Sequence, residues 1–207
     1  MKMIAAILIS YLLGSINPAY IIGRIKGFDI RTKGSLNAGA SNAKVTMGLA
    51  YFFIVLFLDL AKIFASYFIA FYCLKIGRQD AIAASAFAVI GHIFPFYLNF
   101  KGGKGFAGYI ALTLLIDWRF ALVVVAVGLI VSFLANWIVC ATITVTLSTP
   151  IYYLISHPND ILTFIVLALV STIILFKHKE NFKRLAKKKE IGINGCYVGT
   201  KIKSESK

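Results

Sequence analysis

Seven apolar runs joined by short polar connections decide what this chain can fold into. They cover roughly residues 3–23, 45–74, 80–99, 105–116, 120–136, 138–156 and 161–176. A run of ~18 or more mostly apolar residues is long enough to cross a ~30 Å hydrocarbon core. Inside lipid every backbone N–H and C=O must be satisfied by the protein itself, which helices do within one segment. Composition supports the same class: 59% of the 207 residues are hydrophobic and 14% are charged, whereas soluble domains run at ~45–50% and ~25%. The expectation is an all-α polytopic membrane protein with about seven transmembrane helices. One integral-membrane domain covers residues 1–191, and residues 192–207 form a polar tail.

The first run, Met3 to Ile22, is too long for a signal-peptide h-region and contains Gly14-Ser15-Ile16-Asn17-Pro18 without an evident cleavage site; it reads as a retained helix. The fourth run spans less than ~20 Å at ~1.5 Å per residue. Such a segment must be a partial span or join its neighbour through a kink, and irregular backbone at that depth implies protein or a water-filled cavity around it. Cys73, Cys140 and Cys196 lie far apart and form no C-x-x-C pair, so they indicate neither a zinc site nor a disulfide framework.

The formal charge of +14 does not point to nucleic acid, because no soluble basic module with interleaved aromatics is present. It reports topology instead. Arg24, Lys26, Arg31, Lys33, Lys44, Lys101, Lys104 and the lysine-rich end after Phe176 fall on one side of a seven-helix alternation, and Lys2, Lys75, Arg78 and Arg119 on the other. Positive loops stay in the cytoplasm, which predicts the N-terminus outside and the C-terminus inside.

Three polar stretches then share the cytoplasmic face. The first, "DIRTKGSLNAGASNAK", carries Asp29, Arg31, Gly34, Ser35, Asn37, Gly39, Ser41 and Asn42. Such small residues either curl into an anion-binding nest or form a polar connector. The second, "KGGKG" at 101–105, sets two lysines among glycines just before a helix start whose dipole favours anions. It lacks the G-x-x-x-x-G-K-[ST] frame of a nucleotide loop, and the alternative is a solvated positive loop. His92 and Pro95 precede it inside the apolar run. In the third, "HKENFKRLAKKKE", a helical continuation of the seventh segment would align His178, Asn181 and Arg184 on one face; the alternative is an amphipathic stretch on anionic lipid. Asp59 and Lys62, three residues apart inside the second run, read as a mutual salt bridge, extended to a loop arginine, that holds that helix in place. No H-x-x-x-x-D acyltransferase motif, G-x-S-x-G elbow or metal-ligand cluster is found.

Taken in order, these stretches resemble one family nearly end to end: the membrane-integral acyl-phosphate:glycerol-3-phosphate acyltransferases of bacteria. "GSINPAYIIGR" with "DIRTKGSLNAGASN" is similar to that family's first motif, "GHIFPFYLNFKGGKGFA" to its second and "HKENFKRLAKKKE" to its third. The resemblance implies an enzyme that makes lysophosphatidic acid from acyl phosphate and glycerol 3-phosphate. It implies no cofactor, an active site facing the cytoplasm, membrane lipid as surroundings and, as a partner, the soluble enzyme that makes acyl phosphate. An acyl phosphate is a mixed anhydride with a good leaving group, so the missing nucleophile elbow fits. By the resemblance, Arg31, Ser35, Asn37, Gly102, Gly103 and Gly105 bind substrate phosphate. Lys104 stabilises developing negative charge, and His178 and Asn181 orient substrate near the carbonyl. The general base is His178 or a substrate phosphate. Asp59, Lys62, Arg184 and Glu190 play supporting parts.

The chain departs from the family pattern at Leu36, where glycine is usual, at Ser41 and at Lys188. "LANWIV" stands where paired serines are usual, with Asn136 or Thr142 as substitutes. The competing reading from another class is a transporter of phosphorylated solutes or organic anions; against it stand the lack of internal repeats and the one-sided polar cluster.

Overall fold

The computed structural model describes residues 1–187, so Lys188, Glu190 and the 192–207 tail lie outside the described residues. Every apolar run forms helix. The first run holds α1 (Lys2–Ser15) and α2 (Pro18–Ile25). Pro18 has no N–H to donate and sits at the first position of α2, while the Asn17 side chain accepts from the Tyr20 amide at 2.9 Å. An Asn cap followed by Pro is a strong helix start, so the run that reads as one helix is broken at Ile16–Asn17.

The second run is also interrupted. Its first residues belong to α3 (Ala40–Met47), and Gly48 at φ 103° separates them from α4 (Leu49–Phe68), which continues into a π-helical turn, Ile69–Cys73. The remaining helices are α5 (Arg78–Ile93), α6 (Phe106–Ile116), α7 (Trp118–Ala135), α8 (Val139–Ser156), α9 (Ile161–Lys177) and α10 (Lys179–Ala186).

By length and composition the helical stretches Lys2–Ile25, Leu49–Cys73, Arg78–Leu98, Trp118–Ala135 and Val139–Ser156 can each cross a membrane. The pair α9 and α10 passes together as a sixth, bent by 48°. Helix α6, with 11 residues, is the short segment that the sequence predicts. The fold is therefore an all-helical membrane bundle with five or six full-length candidate spans among the described residues.

Helix α5 is the centre. Ala81, Ala83, Ala84, Ala86, Ala88 and Val89 are all fully buried, and their small side chains let neighbours approach. A Cβ on Gly14 of α1 would fall 2.0 Å from the Ala88 carbonyl oxygen, and one on Gly91 would fall 2.2 Å from that of Tyr11. Without water to drive apolar association, such close backbone packing is what holds membrane helices together.

Buried polar side chains satisfy what the helices leave open. Pro150 lies inside α8, and its missing N–H deprives the Thr146 carbonyl of its helical donor. Ser171 of α9 replaces that donor at 2.9 Å and also meets the Tyr109 hydroxyl of α6 at 2.5 Å. Thr113 and Thr149 face each other at 3.0 Å. The short helix is thus anchored to α8 and α9 by hydrogen bonds.

Two ends of the bundle are distinct. At one, Arg78 donates to the carbonyls of Leu115 and Ile116, and the Tyr152 hydroxyl donates to Asp117. At the other, the loop after α2, the loop after α5 and the start of α10 come together.

Candidate active site

The site is assembled from the 26–39 loop, the 98–105 loop and α10. Asp29 caps the short turn Ile30–Thr32 and grips Arg31, with Asp29 Oδ2 and Arg31 Nη2 2.7 Å apart. The hydrogen bond from Arg31 holds the Asp29 carboxyl below its ordinary range, so it stays charged well into acid. Arg31 then reaches across, donating from Nη1 to the Leu98 carbonyl at 3.0 Å and to that of Lys101 at 3.4 Å. Its guanidinium also stacks over the Tyr20 ring. Arg31 is therefore the strap between the first loop and the KGGKG loop.

Asn42, fully buried, shapes the first loop from within. Its Nδ2 donates to the carbonyls of Ile30 and Lys33, and its Oδ1 accepts from the Ser35 amide at 2.8 Å. Gly34 (φ 58°) and Leu36 (φ 61°) on either side of Ser35 are both left-handed. Ser35 is thereby presented on an exposed tight turn, and Asn37 is half-buried beside Gly39.

In the KGGKG loop the glycines serve the protein's own packing. Gly102 donates its amide to the Ile93 carbonyl at 3.1 Å and Gly103 to that of His92 at 3.0 Å. A Cβ on Gly102 would fall 2.1 Å from the His92 oxygen, and one on Gly103 would fall 2.0 Å from His92 Nε2. Both amides thus close the loop onto the end of α5. Gly105, at φ 87°, lets the chain turn into α6, against Ile93.

The third stretch continues the last span as helix, but through a bend. The chain bends by 48° between α9 and α10, with His178 at the bend and Asn181 one turn into α10. Both are buried, and Arg184 is half-buried further along. The His178 Nδ1 lies 2.8 Å from the Ile174 carbonyl. A carbonyl only accepts, so Nδ1 carries a proton. Lys104 Nζ donates to Asn181 Oδ1, which brings the second and third stretches into contact. Lys177 adds a cation over the Phe94 ring at 4.8 Å.

Beneath the loops, Lys62 Nζ lies 2.8 Å from Asp59 Oδ1. The pair extends to His92, whose Nδ1 is 3.1 Å from the same oxygen and 2.8 Å from Lys62. The loop arginine expected there instead pairs with Asp29. The sequence reading also left Asn17 and Tyr97 out of the site. Tyr97 donates to the Ser15 carbonyl and accepts from the Asn17 amide, and Asn17 Nδ2 holds the Ala38 carbonyl at 3.1 Å. The only signal for them was an Asn-Pro step inside an apolar run.

A family profile described as glycerol-3-phosphate acyltransferase matches residues 4–188. A protein of Coxiella burnetii named glycerol-3-phosphate acyltransferase is 37% identical over 188 residues, covering 90% of this chain and 96% of that one. One of Oceanobacillus iheyensis, glycerol-3-phosphate acyltransferase 1, is 29% identical over 206 residues, covering 95% and 98%. Among solved structures, PlsY (YgiH), an integral membrane glycerol 3-phosphate acyltransferase, superposes in its glycerol 3-phosphate form with a TM-score of 0.83. It is 29% identical over 93% of this chain and 96% of that one. The form of that protein with lysophosphatidic acid gives a TM-score of 0.82 at 28% identity.

Proposed function

The chain belongs to the glycerol-3-phosphate acyltransferase family, and from that premise we infer how its three loops divide the reaction. It is a membrane enzyme that acylates glycerol 3-phosphate to lysophosphatidic acid. We propose acyl phosphate as the donor. The 1-hydroxyl oxygen attacks the acyl carbonyl, the new C–O bond forms, and the C–O bond to phosphate breaks with its electron pair leaving on inorganic phosphate. The hydroxyl proton passes to His178 Nε2 or to a substrate phosphate. Lys104 stabilises the oxyanion that forms between the two events. Asn181 aims the lysine, and Arg31, Ser35 and Asn37 present the first loop to the substrate phosphate. Arg184 supports α10.

The observation that carries this reading is the Lys104–Asn181 contact beside His178. It brings a full positive charge, an amide and an imidazole held at Nδ1 by a backbone carbonyl to one end of the bundle. These are groups that transfer from a mixed anhydride can use, and no protein nucleophile is called for. The family match favours the acyltransferase over the transporter reading. Seven crossings with the N-terminus outside, which would place this end in the cytoplasm, are supported by the excess of lysine and arginine there. A soluble acyl-phosphate-forming enzyme would supply the donor from that side.

Purified protein in detergent is expected to convert acyl phosphate and glycerol 3-phosphate to lysophosphatidic acid and phosphate. Palmitoyl-coenzyme A should not replace the donor, since the coenzyme A thiolate is a poorer leaving group than phosphate. Lys104→Ala should lower kcat and kcat/KM together, the mark of an interaction made in the transition state. Equal rates with the thioester would remove the donor assignment, and a rise in KM alone would move Lys104 to ground-state binding.

A further inference from the structure

The Asp59–Lys62–His92 cluster asks for an explanation that a simple ion pair does not give. Ionisable groups at membrane depth are costly, and Asp59 with Lys62 would already tie α4 to its neighbours. The third member, His92, is accounted for by what its ring touches. One edge, Nδ1, faces Lys62 at 2.8 Å and Asp59 at 3.1 Å. The other edge, Nε2, faces Gly103 so closely that a Cβ there would lie 2.0 Å away. The His92 carbonyl also accepts the Gly103 amide at 3.0 Å. Gly103 is therefore seated on His92 through both ring and backbone. The next residue is Lys104, whose ammonium meets Asn181.

The same cluster reaches the first loop. Lys62 Nζ donates to the Ile16 carbonyl at 2.9 Å, at the break between α1 and α2. The neighbouring Asn17 holds the Ala38 carbonyl, and that oxygen would lie 2.9 Å from a Cβ on Gly103. Both loops thus rest on one buried set of charges.

We infer that Asp59, Lys62 and His92 are positioning residues for the acyl transfer: they fix the His92 ring against Gly103 and so set the place of Lys104 beside Asn181. The inference rests on the reading of Lys104 as the group that stabilises the oxyanion. None of the three is assigned a contact with substrate. Their effect on rate runs through the lysine, for which a misplacement of about 1 Å costs on the order of 100-fold.

A double-mutant cycle on the purified full-length protein separates this from scaffolding. His92→Leu is expected to lower kcat about 100-fold while the KM for glycerol 3-phosphate stays nearly unchanged. In a Lys104→Ala background the same substitution should change kcat by no more than about twofold, since the group it positions is gone. His92→Gln, which keeps an amide where Nε2 stands, should recover much of the loss, and it carries the cycle if His92→Leu does not fold. Equal fold-losses in both backgrounds would overturn the inference and leave His92 a packing residue. If Lys104→Ala alone leaves kcat unchanged, the role of the lysine fails first and the positioning inference falls with it.

Discussion

At the scale of single residues, the departure at position 36 has a physical consequence. Leu36 sits at φ 61° and is 64% exposed, so it has the left-handed backbone that glycine adopts freely without enough burial to compensate. Left-handed geometry costs an L-residue with a side chain roughly 1–2 kcal/mol. The usual order of alanine over glycine should therefore reverse here. Leu36→Gly is expected to melt above Leu36→Ala, by about 1 kcal/mol after the greater unfolded-state freedom of glycine is counted. Thermal melts of the two purified variants in one detergent measure the difference. Alanine melting at or above glycine would mean that the turn around Ser35 takes another shape. The same reasoning explains what the sequence could not reveal about Gly102 and Gly103. Their spacing among lysines suggests amides turned toward phosphate. In the structure their amides donate to the carbonyls of Ile93 and His92, partners set by how the chain folds back at Pro95 and invisible to any local pattern.

At the scale of elements, helix existence was legible and helix interruption was only partly so. Every apolar run became helix because length and lipid leave no other solution. The break at Ile16–Asn17 was written in a cap followed by a proline, yet one continuous run of hydrophobicity hid it. Gly48 ends α3 by the same logic, at a glycine lost inside an apolar stretch. The bend at His178 carries no proline or glycine, and it follows from packing: Asn181 is drawn under the loop to meet Lys104. The crossing of α1 and α5 shows the opposite case, in which small residues mark the contact. Gly91→Ala must fit a methyl 2.2 Å from the Tyr11 oxygen and 2.8 Å from the Ser15 nitrogen, both backbone atoms that cannot move aside singly. A loss of about 1–3 kcal/mol, the range for overpacking, is expected. Gly27→Ala, where a Cβ meets nothing within 4 Å and only φ 83° is strained, should lose about 1 kcal/mol. Melting temperatures that rank Gly27→Ala below Gly91→Ala would show that the α1–α5 seam gives way more easily than its distances imply.

At the scale of the whole molecule, the site is a meeting of three distant stretches at one end of the bundle, and that end must face one compartment. Alternating runs and basic residues made this much readable from sequence, because loop charge and helix direction are local properties. The end that holds the Arg31–Leu98 strap and the Lys104–Asn181 contact also carries Arg24, Lys26, Lys33, Lys44, Lys101, Lys177, Lys179, Lys183, Arg184 and Lys187. The opposite end has Lys2, Lys75, Arg78 and Arg119, and Arg78 is turned inward to the carbonyls that close α6. Each lysine or arginine beside an anionic cytoplasmic leaflet gains about 1 kcal/mol, so the imbalance strongly favours the site end inside. The prediction uses intact cells and a membrane-impermeant maleimide, on a chain whose three native cysteines are replaced by serine. A thiol at Gln79→Cys, at the end of α5 away from the site, should label without permeabilisation. A thiol at Lys101→Cys, in the exposed part of the KGGKG loop, should label only after the cells are opened. Both phosphorylated substrates are cytoplasmic anions in this scheme and would not need to cross the bilayer to react. Labelling of position 101 from outside would reverse the orientation and cut the site off from a donor made in the cytoplasm.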